Sequence, residues 1–405
     1  MNVLFDASWL ADYKPGSYMH GGLRVTYELA KRLAVSDLVS ADFTLTDLNM
    51  QRYAQLQHFV STEFSIPGDR VIINNSTLLK TYYKLSKLLN TRSGGALIAR
   101  HYQFVSAYQI KKYDIYHSPV EPIPDIIKKQ KTIKPYLTAL DLIALVKPEI
   151  AYKGFSEQLY KIYQSIDENT TILAISQSTK NDLLNYRKDI KEENVIVAYI
   201  AADRSVFYPD SDNIEAPSIL GKYGLAKGDY FFTLSALANF KNTKHTIQCF
   251  LKYAIEFKNN EVKLLVVGKS REVNYDTDIF STYKNHPQII FIDFLPEKEL
   301  SVIYSNAIAF LYMSLYEGFG LPILEAMQCG TAVICSNTSS MPEVIGNAGI
   351  CIDPSDEDVL CDSLNIMFTD TVKRKNYSLL GLERSELFSW QKYTSDVISA
   401  YKRHA

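Results

Sequence analysis

The sequence predicts an α/β protein built from two doubly wound nucleotide-fold domains that face each other across a cleft. Three observations carry that expectation. Short apolar runs alternate along the chain with segments long enough for helices, the pattern of a parallel sheet covered on both faces. The alternation breaks once, in the polar stretch from Pro209 to Gly228, and then begins again, which places an N-terminal domain at 1–212 and a second at 213–388. Each half also carries a glycine turn ahead of a helical pattern, Gly21-Gly22 in the first and Gly318-Phe319-Gly320 in the second.

Composition agrees with two cores and narrows the class. At 405 residues the chain is long for one domain. Its 43 basic and 45 acidic residues lack the strongly basic balance of a nucleic-acid binder, so no nucleic-acid partner is expected. No apolar run is long enough to span a bilayer, and Met1-Asn2-Val3-Leu4-Phe5-Asp6 has no basic region ahead of an apolar one. A cytoplasmic protein is expected. The cysteines, Cys249, Cys329, Cys335, Cys351 and Cys361, form no Cys-x-x-Cys pair, so they read as reduced thiols and not as a zinc site or disulfide framework.

In chain order, Val3-Leu4-Phe5 is the first strand, followed by Gly21-Gly22 in a loop and a helix in which Val25, Leu29 and Leu33 recur at helical spacing. Apolar strands follow at Asp114-Ile115-Tyr116, Tyr136 to Leu140, Ile172 to Ile175 and Val195 to Tyr199. Beyond the polar break come Tyr230 to Leu234, Lys263 to Val267, Ile289 to Ile292, Ile308 to Met313 and Ala332 to Cys335. Between Arg70 and Tyr113 the chain carries eight Lys or Arg, from Arg70 to Lys112, and no Asp or Glu, with tyrosines interleaved. That composition suits anionic lipid, a peripheral membrane contact through 70–113 at the inner face of the membrane, or a solvated helix face.

The segment from Tyr316 to Met327 holds the most chemistry. Gly318 and Gly320 allow backbone angles closed to other residues and let a ligand approach the main chain, and Pro322 suits the first helical position. Amides at such a helix start attract phosphate. Glu317 stands before the helix and Glu325 about one turn inside it, so one carboxylate is placed for a sugar and the other for ribose hydroxyls. The alternative is a well-capped helix with a glutamate favoured by its dipole. His117, after a strand, reads either as an acceptor-side residue or as a hydrogen-bonded structural histidine.

With these motifs in place, the chain resembles family 4 of the retaining glycosyltransferases, which have the two-domain GT-B fold, and within it bacterial surface-polysaccharide mannosyltransferases. The resemblance runs through Gly21-Gly22, Ile175-Ser176-Gln177-Ser178-Thr179, Phe240-Lys241-Asn242, Val266-Val267-Gly268-Lys269, Glu317 to Met327 and Pro342-Glu343-Val344-Ile345-Gly346-Asn347-Ala348-Gly349. It implies that Glu317 contacts donor-sugar hydroxyls, that Glu325 binds ribose, and that the backbone around Gly318, Phe319, Gly320 and Leu321 holds the diphosphate. It further implies that Lys241 neutralises the diphosphate, that Gly21 and Gly22 approach it from the first domain, that Asp141 belongs to the catalytic set, and that a final helix at 389–405 returns to the first domain. Arg24 is a further basic candidate, on the acceptor side or beside the diphosphate.

The implied activity is transfer of a hexose, mannose from GDP-mannose in the first instance, to a saccharide or lipid-linked saccharide acceptor in surface polysaccharide synthesis. No cofactor and no metal are implied, since Asp210-Ser211-Asp212 and Asp276-Thr277-Asp278 fall in polar loops away from the other motifs. Three positions depart from the family pattern. Leu140 stands where many relatives have histidine before aspartate, Phe240 where they have arginine, and Ser235-Ala236 where they have Gly-Arg. Those departures leave two alternatives, a UDP-sugar transferase of the same fold and a catalytically weak scaffold member of an assembly complex.

Overall fold

A computed structural model of the chain describes residues 1–15, 19, 21–47, 49–73, 105–151, 155–234, 238–268 and 277–403. Seven parallel strands form the first sheet: β1 (Asn2–Asp6), β2 (Ser40–Thr44), β3 (Val71–Ile72), β4 (Ile115–Ser118), β5 (Lys134–Ala139), β6 (Thr171–Ala174) and β7 (Val195–Val197), in the order β3-β2-β1-β4-β5-β6-β7. Six form the second: β8 (Tyr230–Leu234), β9 (Lys263–Val267), β10 (Ile289–Ile292), β11 (Phe310–Tyr312), β12 (Val333–Ser336) and β13 (Ile350–Ile352), in the order β10-β9-β8-β11-β12-β13. The central strands are buried along almost their whole length, Val3 to Asp6 in β1 and Tyr230 to Thr233 in β8. Helices on both faces of a parallel sheet require such near-continuous apolar runs, and this is why the strands were visible in the sequence.

The sequence pattern omits β2, β3 and β13. The first mixes Ser40, Asp42 and Thr44 with its apolar residues, and the other two are only two and three residues long. Gly21 and Gly22 form the first turn of helix α1 (Gly21–Ala34) and not the loop before it. The strand expected to reach Leu140 stops at Ala139, which leaves Leu140 and Asp141 beyond the end of the sheet.

The chain crosses between domains twice. After β7 the buried residues Ala198, Ile200, Ala201, Ala202 and Phe207 carry it into the second domain, where helix α2 (Thr243–Glu256) follows β8. Near the end, Phe388 lies buried at the return crossing, and helix α3 (Trp390–Lys402) packs on the first domain. Trp390, Tyr393, Val397, Ile398 and Tyr401 form its buried face, and the Tyr136 hydroxyl donates to the Ala400 carbonyl at 2.7 Å. Among the described residues no helix is long and apolar enough to cross a membrane. Of the basic stretch, 74–104 lies outside the described residues. Arg70 is committed internally, pairing with Asp42 and donating to the Ala41 carbonyl.

Candidate active site between the two domains

Strand order locates the site. In a doubly wound sheet the loops that leave neighbouring strands in opposite directions open a crevice at the carboxyl ends. In the second sheet this switch lies between β8 and β11, and Lys241 and Glu317 stand on the two loops that leave it. In the first sheet it lies between β1 and β4, whose following segments supply Gly21-Gly22 and Glu121, with Leu140-Asp141 just past the end of the next strand, β5.

Lys241 Nζ meets the Glu317 carboxylate at 2.7 Å and the Tyr312 hydroxyl at 2.8 Å. The two charged side chains are only 16% and 13% exposed, so solvent screens the pair weakly. The ammonium also lies 4.9 Å from the Tyr312 ring centroid and 5.2 Å from that of Phe240. Phe240, which departs from the family pattern, thus supplies an aromatic face to the cation beside it. The following Asn242 takes a left-handed conformation, tolerable for asparagine, and its side chain donates to the Pro354 carbonyl at 3.0 Å.

The backbone of Glu317 is gripped from one segment. Ser339 Oγ accepts its N–H at 2.9 Å, and Ser340 Oγ donates to its carbonyl at 2.9 Å. Gly318 then runs against the first domain so closely that a Cβ there would lie 2.1 Å from the Leu140 carbonyl oxygen. Its own carbonyl accepts from Ser176 Oγ at 2.7 Å and Thr179 Oγ1 at 3.1 Å. Gly320, with φ of 96° and ψ of 46°, turns the chain into helix α4 (Leu321–Gln328), where Pro322 occupies the first turn. Gly22 is similarly confined: a Cβ would meet Leu140 at 2.9 Å and Trp9 at 3.0 Å. Leu140 therefore fills the space between the two glycine turns.

Glu325 lies on α4 and accepts from the Tyr304 hydroxyl at 3.1 Å. Burial raises its pKa, partly offset by the charge of Arg24 and by that hydrogen bond. Arg24 reaches from α1 across the cleft to Glu297 Oε1 at 2.9 Å. It therefore stands beside Glu325 on the second domain, and not on an acceptor face of the first. Asp141 accepts from the Ile143 N–H at 3.1 Å, and burial, with a contribution from the Glu317 charge, pushes its pKa up to about 6.

Of the two readings of His117, the hydrogen-bonded structural one fits and the acceptor-side one does not. His117 is fully buried, bonded through Nε2 to Thr138 Oγ1 at 2.8 Å and through Nδ1 to the hydroxyl of Tyr401, with its pKa lowered by burial to about 3. It pins α3 to the first domain and faces no acceptor. Phe319 is also buried, its ring 6.2 Å from Tyr199 and 5.8 Å from Phe388. Only its backbone is available to a ligand. Ser235, Ala236, Lys269 and Asp276 lie outside the described residues. Among the described residues no group of His, Cys, Asp and Glu is arranged to hold a metal ion. Tyr304, Tyr312, Ser339 and Ser340 were not singled out from the sequence, because each acts on another site residue and none belongs to a motif with its own chemistry.

Comparison with known proteins agrees with this geometry. Residues 218–379 match the family Glycosyl transferases group 1. O-antigen chain mannosyltransferase B of Escherichia coli is 29% identical over 302 residues, 73% of this chain and 76% of its own length. The serotype-specific mannosyltransferase WbdA of Escherichia coli is 28% identical over 269 residues, 65% of this chain but 32% of its own, so the chain spans about a third of that relative. Among solved structures, Anabaena Alr3699/HepE in complex with UDP-glucose superposes with a TM-score of 0.69 over the full length of both chains at 16% identity. Two facing parallel-sheet domains, the second matching group 1, identify the chain as a glycosyltransferase of the GT-B fold.

Proposed function

We propose that the enzyme is a retaining mannosyltransferase that uses GDP-mannose and extends a saccharide or lipid-linked saccharide of the O-antigen type. The observation that carries this reading is the relative matched over 73% of the chain, which is named an O-antigen chain mannosyltransferase. The site suits the chemistry. Cleavage of the bond between anomeric carbon and phosphate leaves negative charge on the diphosphate and a cation-like sugar ring. Lys241 and the start of α4 meet the first, as preorganised positive charge and dipoles at the leaving group. Glu317 then accepts from sugar hydroxyls and Glu325 from the ribose. On the retaining path the acceptor oxygen bonds to the anomeric carbon from the face that the phosphate leaves, and its proton passes to the departing phosphate oxygen.

A UDP-sugar donor is the second reading, favoured by the likeness in fold to HepE, which binds UDP-glucose. Thermal stabilisation by a panel of nucleotides and nucleotide sugars separates the two, since a ligand bound only by the folded state raises the midpoint with its concentration. GDP and GDP-mannose are expected to raise it while UDP compounds do not. The reverse pattern would transfer the assignment to a UDP sugar.

A further inference from the structure

The first domain presents the start of a helix to the second. Helix α5 (Gln177–Tyr186) is capped by Ser176, whose Oγ accepts the Thr179 N–H at 2.9 Å. Two further amides of its first turn, those of Gln177 and Ser178, donate to the two carboxylate oxygens of Glu343 at 2.8 and 2.9 Å. The Tyr199 hydroxyl, on the crossing segment, donates to the same carboxylate at 3.1 Å. A carboxylate of one domain thus satisfies orphan donors of a helix in the other, a charge-assisted contact that also suits the helix dipole.

Glu343 is itself tied to the catalytic turn. It lies three residues beyond Ser340 in the segment whose Ser339 and Ser340 hold the Glu317 backbone, and Arg384 fixes it by donating to its carbonyl at 2.6 Å. The cap of the same α5 helix closes the circuit, since Ser176 and Thr179 donate to the carbonyl of Gly318, the residue after Glu317. Glu317 is therefore held between two attachments to one helix of the opposite domain.

We infer that Glu343 is a positioning residue: by capping α5 across the cleft it sets the register of the two domains and with it the placement of Glu317 against Leu140 and Asp141. The inference rests on the reading of Glu317 as a donor-sugar contact. Glu325 and the start of α4, which take the nucleotide on this reading, both belong to the second domain, whereas transfer needs both faces in register.

The test compares Glu343→Ala, Glu343→Gln and Ser176→Ala with the unaltered full-length enzyme, using the nucleotide sugar that stabilises it best. For Glu343→Ala we expect kcat for transfer to fall on the order of 10- to 100-fold, the range in which small displacements of reacting groups act. The dissociation constant of the nucleoside diphosphate should stay within about twofold, and the share of donor lost to water as free sugar should rise. Glu343→Gln keeps one acceptor oxygen and is expected to fall between the two. Glu343→Ala combined with Ser176→Ala should lose less than the product of the single effects, because both act on one contact. An unchanged kcat and hydrolysis share in the double variant would overturn the inference. So would a loss confined to nucleotide affinity or to the melting midpoint. Glu317→Ala serves as the control: if it retains normal turnover the donor-site reading fails, whereas its failure to turn over beside a fully active Glu343 variant defeats only the role of Glu343.

Discussion

Lys241 is held by three groups at once, the Glu317 carboxylate, the Tyr312 hydroxyl and the neighbouring aromatic rings. On the proposed function, a diphosphate entering the cleft competes with Glu317 for the ammonium, and the carboxylate released is then free to accept from sugar hydroxyls. Removing one preorganised donor costs other enzymes about 3 to 4 kcal/mol of transition-state stabilisation. Lys241→Ala should accordingly lower donor turnover on the order of a hundredfold or more, and normal turnover by that variant would remove Lys241 from the leaving-group site. The residues of this pair were legible in the sequence because each sits in a motif. His117 was not: its partner Tyr401 lies 284 positions away, a separation that local pattern cannot bridge.

At the scale of elements, the loop from β11 to α4 owes its position to a glycine with no room for a side chain. A Cβ on Gly318 would press on the Leu140 carbonyl, and because that atom is backbone the domains themselves would have to separate. Gly318→Ala is expected to enlarge the radius of gyration in small-angle scattering and to lower transfer by about tenfold or more, the scale on which displaced reacting groups lose rate. Equal scattering curves with equal turnover would show that solution molecules do not keep this contact. Buried parallel strands announced themselves through uninterrupted apolar runs, so β8, β9 and β10 agree with the sequence reading residue for residue. The short edge elements did not, since two or three residues hold too little pattern to separate a strand from a loop.

For the molecule as a whole, burial of carboxyl groups near the cleft ties stability to pH. Asp6 is pushed up to about 7 and Asp141 to about 6, in both cases chiefly by desolvation. A group whose folded pKa is raised binds more protons folded than unfolded, so its contribution is fully present below about pH 4 and lost as pH rises through the folded value. Each unit of difference corresponds to about 1.4 kcal/mol. Urea unfolding should therefore show stability declining between about pH 4 and 7 on account of these two groups. Asp6→Asn, whose amide oxygen can still accept both hydrogen bonds from Ser8, should flatten much of that slope. An unchanged slope would mean that Asp6 is ionised in the folded protein.

The return of α3 to the first domain has a consequence for biosynthesis. The bed that receives this helix is laid down by α1 and by His117 of β4 and Tyr136 of β5, whose rings meet Tyr401, while most of the chain is still to be made. During translation that bed stays uncovered until the whole second domain has left the ribosome, so a nascent first domain needs either a chaperone over the bed or rapid folding of the segments behind it. Ribosomes stalled within the second domain should expose a sticky intermediate that full-length chains never show.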